Sequence, residues 1–215
     1  MLDRFVLIAG ILGAWIISGI VERLLKRRRG DRLPRGSVTT KGRGETESSP
    51  SPGTTWSKFG VAFAMGGNIV GLLGVLGLSL FNLWSVATPY IAIDLPCWLN
   101  WVGLIGFWVH LGWGLSVYYY NVNYTPLFQP MPGGLVLATG GPYRLVRHPM
   151  YMGYFALTGF FFLMTGVWLV AIPAIGWLAL PAQTSDEDRA LGLRFGAAYS
   201  AYARRTGKYF PRIRR

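Results

Sequence analysis

Four stretches of this chain, Phe5–Val21, Phe59–Trp84, Trp98–Tyr120 and Met150–Pro181, contain no Asp, Glu, Lys or Arg. An uncharged apolar run of about 20 residues has the length and composition of a helix that crosses a bilayer. Few water-soluble folds could hide four of them. Charged side chains make up 14% of the 215 residues and hydrophobic ones 52%, where a soluble domain carries about 25% charged. Disordered chains, coiled coils and secreted mini-domains do not fit that balance. The formal net charge is +12. In a soluble protein this would suggest nucleic acid. Beside long apolar runs the better partner is an anionic membrane surface, and no nucleic acid is expected. Cys97 is the single cysteine and His110 and His148 the only histidines, so neither an internal disulfide nor a metal site is expected.

Seventeen residues in Phe5–Val21 span about 26 Å as a helix, enough for a membrane anchor over residues 1–21. The basic cluster follows the run and no small-residue cleavage site appears, so a retained anchor is expected rather than a signal peptide. Residues 22–57 are different in kind. Lys26 to Arg29, Arg32, Arg35, Lys41 and Arg43 are followed by a Ser/Pro/Gly stretch. This composition buries no core and predicts a flexible basic linker. It has two readings, attachment to anionic lipid headgroups or a topology signal alone. In Phe59–Trp84, the spacing of Gly67, Gly71, Gly74 and Gly77 puts small residues on a helix face for close packing. Ser85–Cys97 reads as a loop, and Tyr118–Tyr120 as an interfacial belt.

Met150–Pro181 would measure about 48 Å as one helix against a core of about 30 Å. A tight hairpin near Thr165-Gly166 divides it into two spans, with Pro173 kinking the second. Ser185-Asp186-Glu187-Asp188 resembles a capping box opening a separate tail helix, along which Leu191, Phe195, Tyr199 and Tyr202 recur at helical spacing. The expected fold is therefore all-α and integral to the membrane. It has five transmembrane helices, the last two a tight hairpin, and a C-terminal amphipathic cytoplasmic helix. With the N-terminus outside, 20 of the 21 Lys and Arg fall on the cytoplasmic side. The length and the lack of a retention motif suggest a prokaryotic plasma membrane.

Two polar segments then meet on one face. Arg147 and His148 precede the helix that opens near Pro149, whose free N–H groups and adjacent guanidinium suit an anion. The alternative is positive-inside anchoring. Glu187 lies one turn before Leu191 on the apolar stripe, and an inward carboxylate wants a partner. Arg147 or Arg144 would make that role structural; a ligand's amine or hydroxyls would make it functional. Asp188 reads as a cap or supporting residue. His110 reads as a histidine satisfied by a neighbouring helix.

Asn123-Tyr124-Thr125-Pro126, Gly141-Pro142-Tyr143-Arg144, Arg147-His148-Pro149-x-Tyr151-x-Gly153, Glu187-Asp188, Leu191, Phe195-Gly196, Tyr199 and Tyr202 occur in this order across the hairpin. In these features, over residues 123–211, the sequence resembles the integral-membrane methyltransferases of the isoprenylcysteine carboxyl methyltransferase type and the related phospholipid N-methyltransferases. The resemblance implies that residues 58–215 form a membrane-embedded methyltransferase domain using S-adenosylmethionine. By position, the donor would contact Tyr143, His148, Pro149, Met150, Tyr151 and Glu187, with the backbone of Leu135, Val136, Leu137 and Ala138. Arg147 and His148 are the expected catalytic residues, one of them taking the donor's carboxylate. The acceptor would be a membrane lipid or a lipid-modified molecule. The chain departs from the family at Leu135, where His is usual, at Asp188, where a second Glu is usual, and at Gln183, where prenylcysteine-specific members carry Arg. An amine acceptor would have to lose a proton, which His148 could relay only if free. Competing expectations are a sterol-reductase-like NADPH enzyme and a non-catalytic membrane adaptor.

Overall fold

A computed structural model describes residues 1–29, 32–39, 51–123 and 135–212. Lys41, Arg43 and Ser48 of the basic stretch, and Tyr124 to Pro126 of the first motif, lie outside the described residues. The chain is mostly helical. Helix α1 spans Arg4–Arg29, α2 Thr55–Leu80, α3 Trp84–Ile91, α4 Cys97–Tyr120, α5 Pro149–Thr165, α6 Ala171–Ala174, α7 Leu180–Phe195 and α8 Ala197–Arg205. Strands β1 (Ser37–Thr39) and β2 (Val136–Ala138) pair antiparallel.

Among the described residues three helices, α1, α2 and α4, are long and apolar enough to cross a membrane. Their outward positions carry large apolar side chains, among them Ile16, Phe63, Val70 and Ile105. Such faces would be a liability in water and suit contact with lipid. The inward faces meet in one cluster built around Leu7, Ile11, Leu72, Val75, Phe107, Phe161 and Met164. Several buried polar side chains reach across to other helices. The Asn68 amide donates to Thr158 Oγ1 at 2.9 Å, Asn100 to the Leu163 carbonyl at 2.9 Å, and the Trp177 indole to Thr158 at 3.1 Å. Where water is excluded, such bonds fix which helix faces which.

Glycines set how closely the helices approach. A Cβ on Gly103 would sit 2.1 Å from the Met164 nitrogen, and one on Gly106 2.2 Å from the Phe160 ring, so α4 lies directly on α5. On α2 the expected small-residue face is realised in part. Gly67 meets Pro173 and Gly71 meets Phe161, but Gly74 and Gly77 face open space. The contact extends toward the start of α2 instead, where Gly60 meets Ala179.

The hairpin turns where the sequence places it. Gly166 caps α5 in the left-handed region (φ 71), and its carbonyl accepts from Ile93 N–H at 2.8 Å. Ala92 and Val167 form an isolated bridge, which pins the turn to the connection before α4. That connection is no plain loop. It contains α3, whose eight uncharged residues include an internal Pro89 and give little periodic signal.

Three further differences from the expected architecture matter for the site. First, the residues after Gly166 form one irregular helical run, alternating 3-10 and α turns around Pro173 and continuing into α7. No break separates a span from a tail helix. Ser185 is therefore inside α7 and donates to the Pro181 carbonyl at 2.7 Å, so it is no N-cap. Pro181 falls in the first turn of α7, where its missing N–H is tolerated, and the chain bends at Gly196 instead, with φ 53. Second, the flexible linker gives way to structure at both ends. Helix α1 runs on through Arg29, and β1 pairs with β2. Alternating small and β-branched residues in Ser37–Thr39 find a partner strand that only the tertiary fold supplies. Third, α2 begins at Thr55, where Thr54 Oγ1 caps it by accepting from Ser57 N–H at 3.1 Å.

Candidate functional site

The site forms where three segments cross: the 145–151 junction, α7, and the strap after α8. Val146 and Gly207 form a parallel bridge, Arg147 N–H donates to the Gly207 carbonyl at 2.8 Å, and His148 N–H to the Lys208 carbonyl at 3.3 Å. This strap lays the C-terminal residues along the start of α5. Pro149 holds the first helical position, where its missing N–H costs nothing. Its carbonyl accepts from the Trp113 indole at 2.7 Å, which ties the junction to α4.

Two adjacent acids on α7 then gather side-chain donors from the junction, α7 itself, α8 and the strap. The Tyr151 hydroxyl donates to Glu187, Gln183 Nε2 donates to the same carboxylate at 2.9 Å, and His148 Nδ1 lies 3.4 Å from its other oxygen. Asp188 takes His148 Nε2 at 2.8 Å, Arg147 at 3.3 Å and the Tyr199 hydroxyl, with Lys208 at 3.8 Å. His148 thus bridges the acid pair, one ring nitrogen to each. Arg147 also donates to the Ala203 and Thr206 carbonyls, at 3.1 and 2.9 Å, at the end of α8.

The sequence left Glu187 with two possible fates. Its partners are a tyrosine, an amide and an imidazole, while Arg147 pairs with Asp188 and Arg144 with neither acid. Asp188, which reads as a cap or supporting residue, is the hub of the network. Tyr199 and Gln183 join it too. One hint is legible beforehand: the two acids occupy neighbouring helix directions, so each could face its own set of partners.

Electrostatics follow from these contacts. Burial alone would push the His148 imidazole down, but hydrogen bonds and charge from Asp188 and Glu187 outweigh it and hold its pKa above the ordinary value. Burial works against ionised Asp188, yet His148, Tyr199 and Arg147 hold its carboxyl well below the usual carboxylate range. Burial and then Asp188 push the Tyr199 hydroxyl up. Tyr143 is raised mainly by burial.

The other expected residues surround this pair. Leu135 and Leu137 are buried against Phe195, Tyr199 and Tyr202. Ala138 packs with Tyr143 and Val117, and Met150 contacts the same cluster. Val136 N–H and its carbonyl are already taken by the Asn123 amide, so that part of the β2 backbone is committed. Tyr143 receives the Asn121 amide at its hydroxyl, 3.0 Å, and the Tyr202 hydroxyl at its carbonyl, 2.9 Å. His110 lies within α4 with its ring edge-on to Tyr154 at 5.7 Å, near Gly153, away from the acid pair.

No known family profile matches the chain. It is similar in part to the nickel-cobalt-cadmium resistance protein NccN of Alcaligenes xylosoxydans xylosoxydans and to the cobalt-zinc-cadmium resistance protein CzcN of Cupriavidus metallidurans. Each is 37% identical over 79 residues, which is 36% of this chain. The chain spans about a third of the length of these curated relatives, 37% and 36% respectively.

Proposed function

We propose that the protein transfers a methyl group from S-adenosylmethionine to a lipophilic acceptor at the cytoplasmic face of the membrane. The observation that carries this reading is the meeting of Tyr151 and His148 with Glu187, across the helical hairpin, beside Tyr143 and β2. In this reading α5 and the irregular run after Gly166 complete five spans, with the N-terminus outside, in a prokaryotic plasma membrane.

The residues fit such a donor. Glu187 is about 20% exposed, with donors on its oxygens but no guanidinium. A carboxylate offers about four acceptor directions, so one is open for an amine or ribose hydroxyl. Tyr143 and Tyr151 offer aromatic faces to a cation. Bound S-adenosylmethionine supplies an electrophilic methyl group on a sulfonium. The chain's own task is to align an acceptor with it and exclude water.

Charge state narrows the acceptor. An imidazole held between two carboxylates favours the protonated form, which has no lone pair to accept a proton. His148 is then a positioning residue, and an acceptor that arrives deprotonated, a carboxylate or thiolate, is favoured over an amine. Arg147, engaged by Asp188 and the end of α8, acts likewise by holding the junction. Isoprenylcysteine-like and other lipid carboxylates are the first acceptors to test.

The test is tritium methyl transfer from labelled S-adenosylmethionine to total lipid extract and to prenylcysteine analogues, with products sorted by chromatography. Calorimetry with S-adenosylhomocysteine and NADPH runs beside it. Homocysteine-adduct binding with labelled lipid supports the reading; NADPH binding alone, or neither ligand, overturns it. The relatives' names favour a second reading, a part in resistance to divalent metals. Among the described residues no group of three or more His, Cys, Asp or Glu is arranged to hold a metal ion. Growth of a deletion strain on cadmium or cobalt, rescued by wild type and by Glu187→Gln, separates a methylation-dependent contribution from a direct one.

A further inference from the structure

A concavity lies beside Tyr202, and neither acid of the pair lines it. It is a cleft of about 610 Å³ whose wall includes Arg35, Arg144 and Arg205. Arg35 comes from the turn before β1, Arg144 from the end of the 3-10 turn at Gly141–Arg144, and Arg205 from the end of α8. We propose that this cleft seats the phosphate of an anionic phospholipid headgroup. The inference stands apart from the methyl-transfer reading, since it uses none of the acid-pair residues.

Charge is the first argument. No Asp or Glu lines the cleft, and none of the three guanidinium groups forms an ion pair among the described residues. Other cations in the chain do find acids: Lys26 with Glu22, Arg147 with Asp188, Arg189 with Asp186. Three guanidinium groups with no acid partner among the described residues repel one another, and a concavity concentrates their field on any anion that enters. Guanidinium forks match phosphate oxygens two at a time.

Shape is the second. The floor is backbone brought unusually close. A Cβ on Gly140 would lie 2.1 Å from the Arg35 carbonyl, and Gly36 turns with φ 84. Thr139 fixes this turn by donating, through its N–H and its hydroxyl, to the Gly36 carbonyl. The Arg35 segment is thus held against the 3-10 turn instead of trailing in solvent.

Position is the third. Tyr120 lines the cleft and is the last residue of α4, while Arg144 lies five residues before α5 begins. The cleft therefore opens level with the ends of two apolar helices, where phospholipid phosphates lie. Leu145, 48% exposed beside Arg144, gives the glycerol and upper acyl region an apolar flank. A free phosphate would have no use for that placement.

The test uses the full chain in a neutral detergent, titrated with dihexanoyl phosphatidylglycerol, dihexanoyl phosphatidylcholine or inorganic phosphate and followed by calorimetry. Phosphatidylglycerol should bind saturably, with phosphatidylcholine and inorganic phosphate each at least about 10-fold weaker. Arg144→Gln with Arg205→Gln should weaken phosphatidylglycerol about 10-fold or more. Unchanged phosphatidylglycerol binding in this variant overturns the site. Inorganic phosphate binding as tightly as the lipid overturns the headgroup assignment. Circular dichroism checks folding. If the double variant does not fold, Arg35→Gln, on an exposed turn, carries the same comparison.

Discussion

Replacing Asp188 with asparagine keeps the shape of the side chain and removes its charge. Three donors converge on that carboxylate: His148 at 2.8 Å, Arg147 at 3.3 Å and the Tyr199 hydroxyl. Arg147 is only 14% exposed and His148 5%, so the loss leaves two nearly buried cations short of a counter-charge. Breaking a fully buried pair costs about 3–5 kcal/mol. Two features reduce that here. Glu187 still faces the other nitrogen of His148, and Asp188 is 20% exposed, so water can reach the gap. The expected destabilisation is about 2–3 kcal/mol. It is read from reversible SDS unfolding in mixed micelles, followed by far-ultraviolet circular dichroism. The partner change Arg147→Met closes a double-mutant cycle. Because removing one partner strands the other, the double variant should be at least about 1 kcal/mol more stable than the sum of the singles implies. An Asp188→Asn cost below about 0.5 kcal/mol, the range of an ordinary surface change, refutes the hub. So does additivity around the cycle.

Glu187→Gln should weaken S-adenosylhomocysteine binding about 10- to 100-fold by calorimetry, through loss of a charged hydrogen bond, with little change in helix content. Stability should depend on pH through the same network. His148, raised above 6.5, contributes fully below about pH 6.5, and its contribution is lost as pH rises through its folded value. Asp188, lowered from 3.8, contributes fully above about pH 4 and loses its contribution as pH falls toward its folded value. Thermal melts across pH should therefore plateau between about 4 and 6.5, and His148→Gln should flatten the alkaline limb. Gly103→Ala should cost about 1–3 kcal/mol in SDS unfolding by prying α4 from the α5 backbone, whereas Gly112→Ala, which meets nothing within 4 Å, should be neutral. Equal effects at the two glycines would mean that close approach does not hold this interface.

How much of this was legible depended on the range of the interaction. The three long helices announce themselves because uncharged length is a local property, and the Gly166 turn because 48 Å of helix does not fit a bilayer. The boundary between span and tail was misplaced at Ser185 because a capping pattern reads the same whether or not a helix is already running. Leu180 carries the helix in from upstream, which no local pattern reveals. That Asp188 and not Glu187 pairs with Arg147 is hidden for a similar reason. Helical phase indicates that neighbouring acids point in different directions, but not which direction holds Arg147. Strand β1 was invisible, since three residues gain a structure only from a partner about a hundred positions away.

Gln183 shows why that last gap bears on function. Its side chain is 1% exposed. Its oxygen accepts from the Ser57 hydroxyl at 2.9 Å, and its nitrogen donates both to the Pro52 carbonyl at 3.1 Å and to Glu187. A Cβ on Gly53 would collide with that same amide. One neutral side chain therefore joins the start of α2 to the acid pair, while β1 flanks β2 on the other side. The residues before Asn123 carry none of the motifs at the candidate site, yet they touch it from two directions. Arginine at 183 would bring a charge into a space now filled by an amide with its partners in place. Accommodating it would require Gly53 and Ser57 to move. If the proposed methyl transfer holds, acceptor preference would be coupled through Gln183 to residues 52–57, and a change of acceptor would first have to be accommodated there.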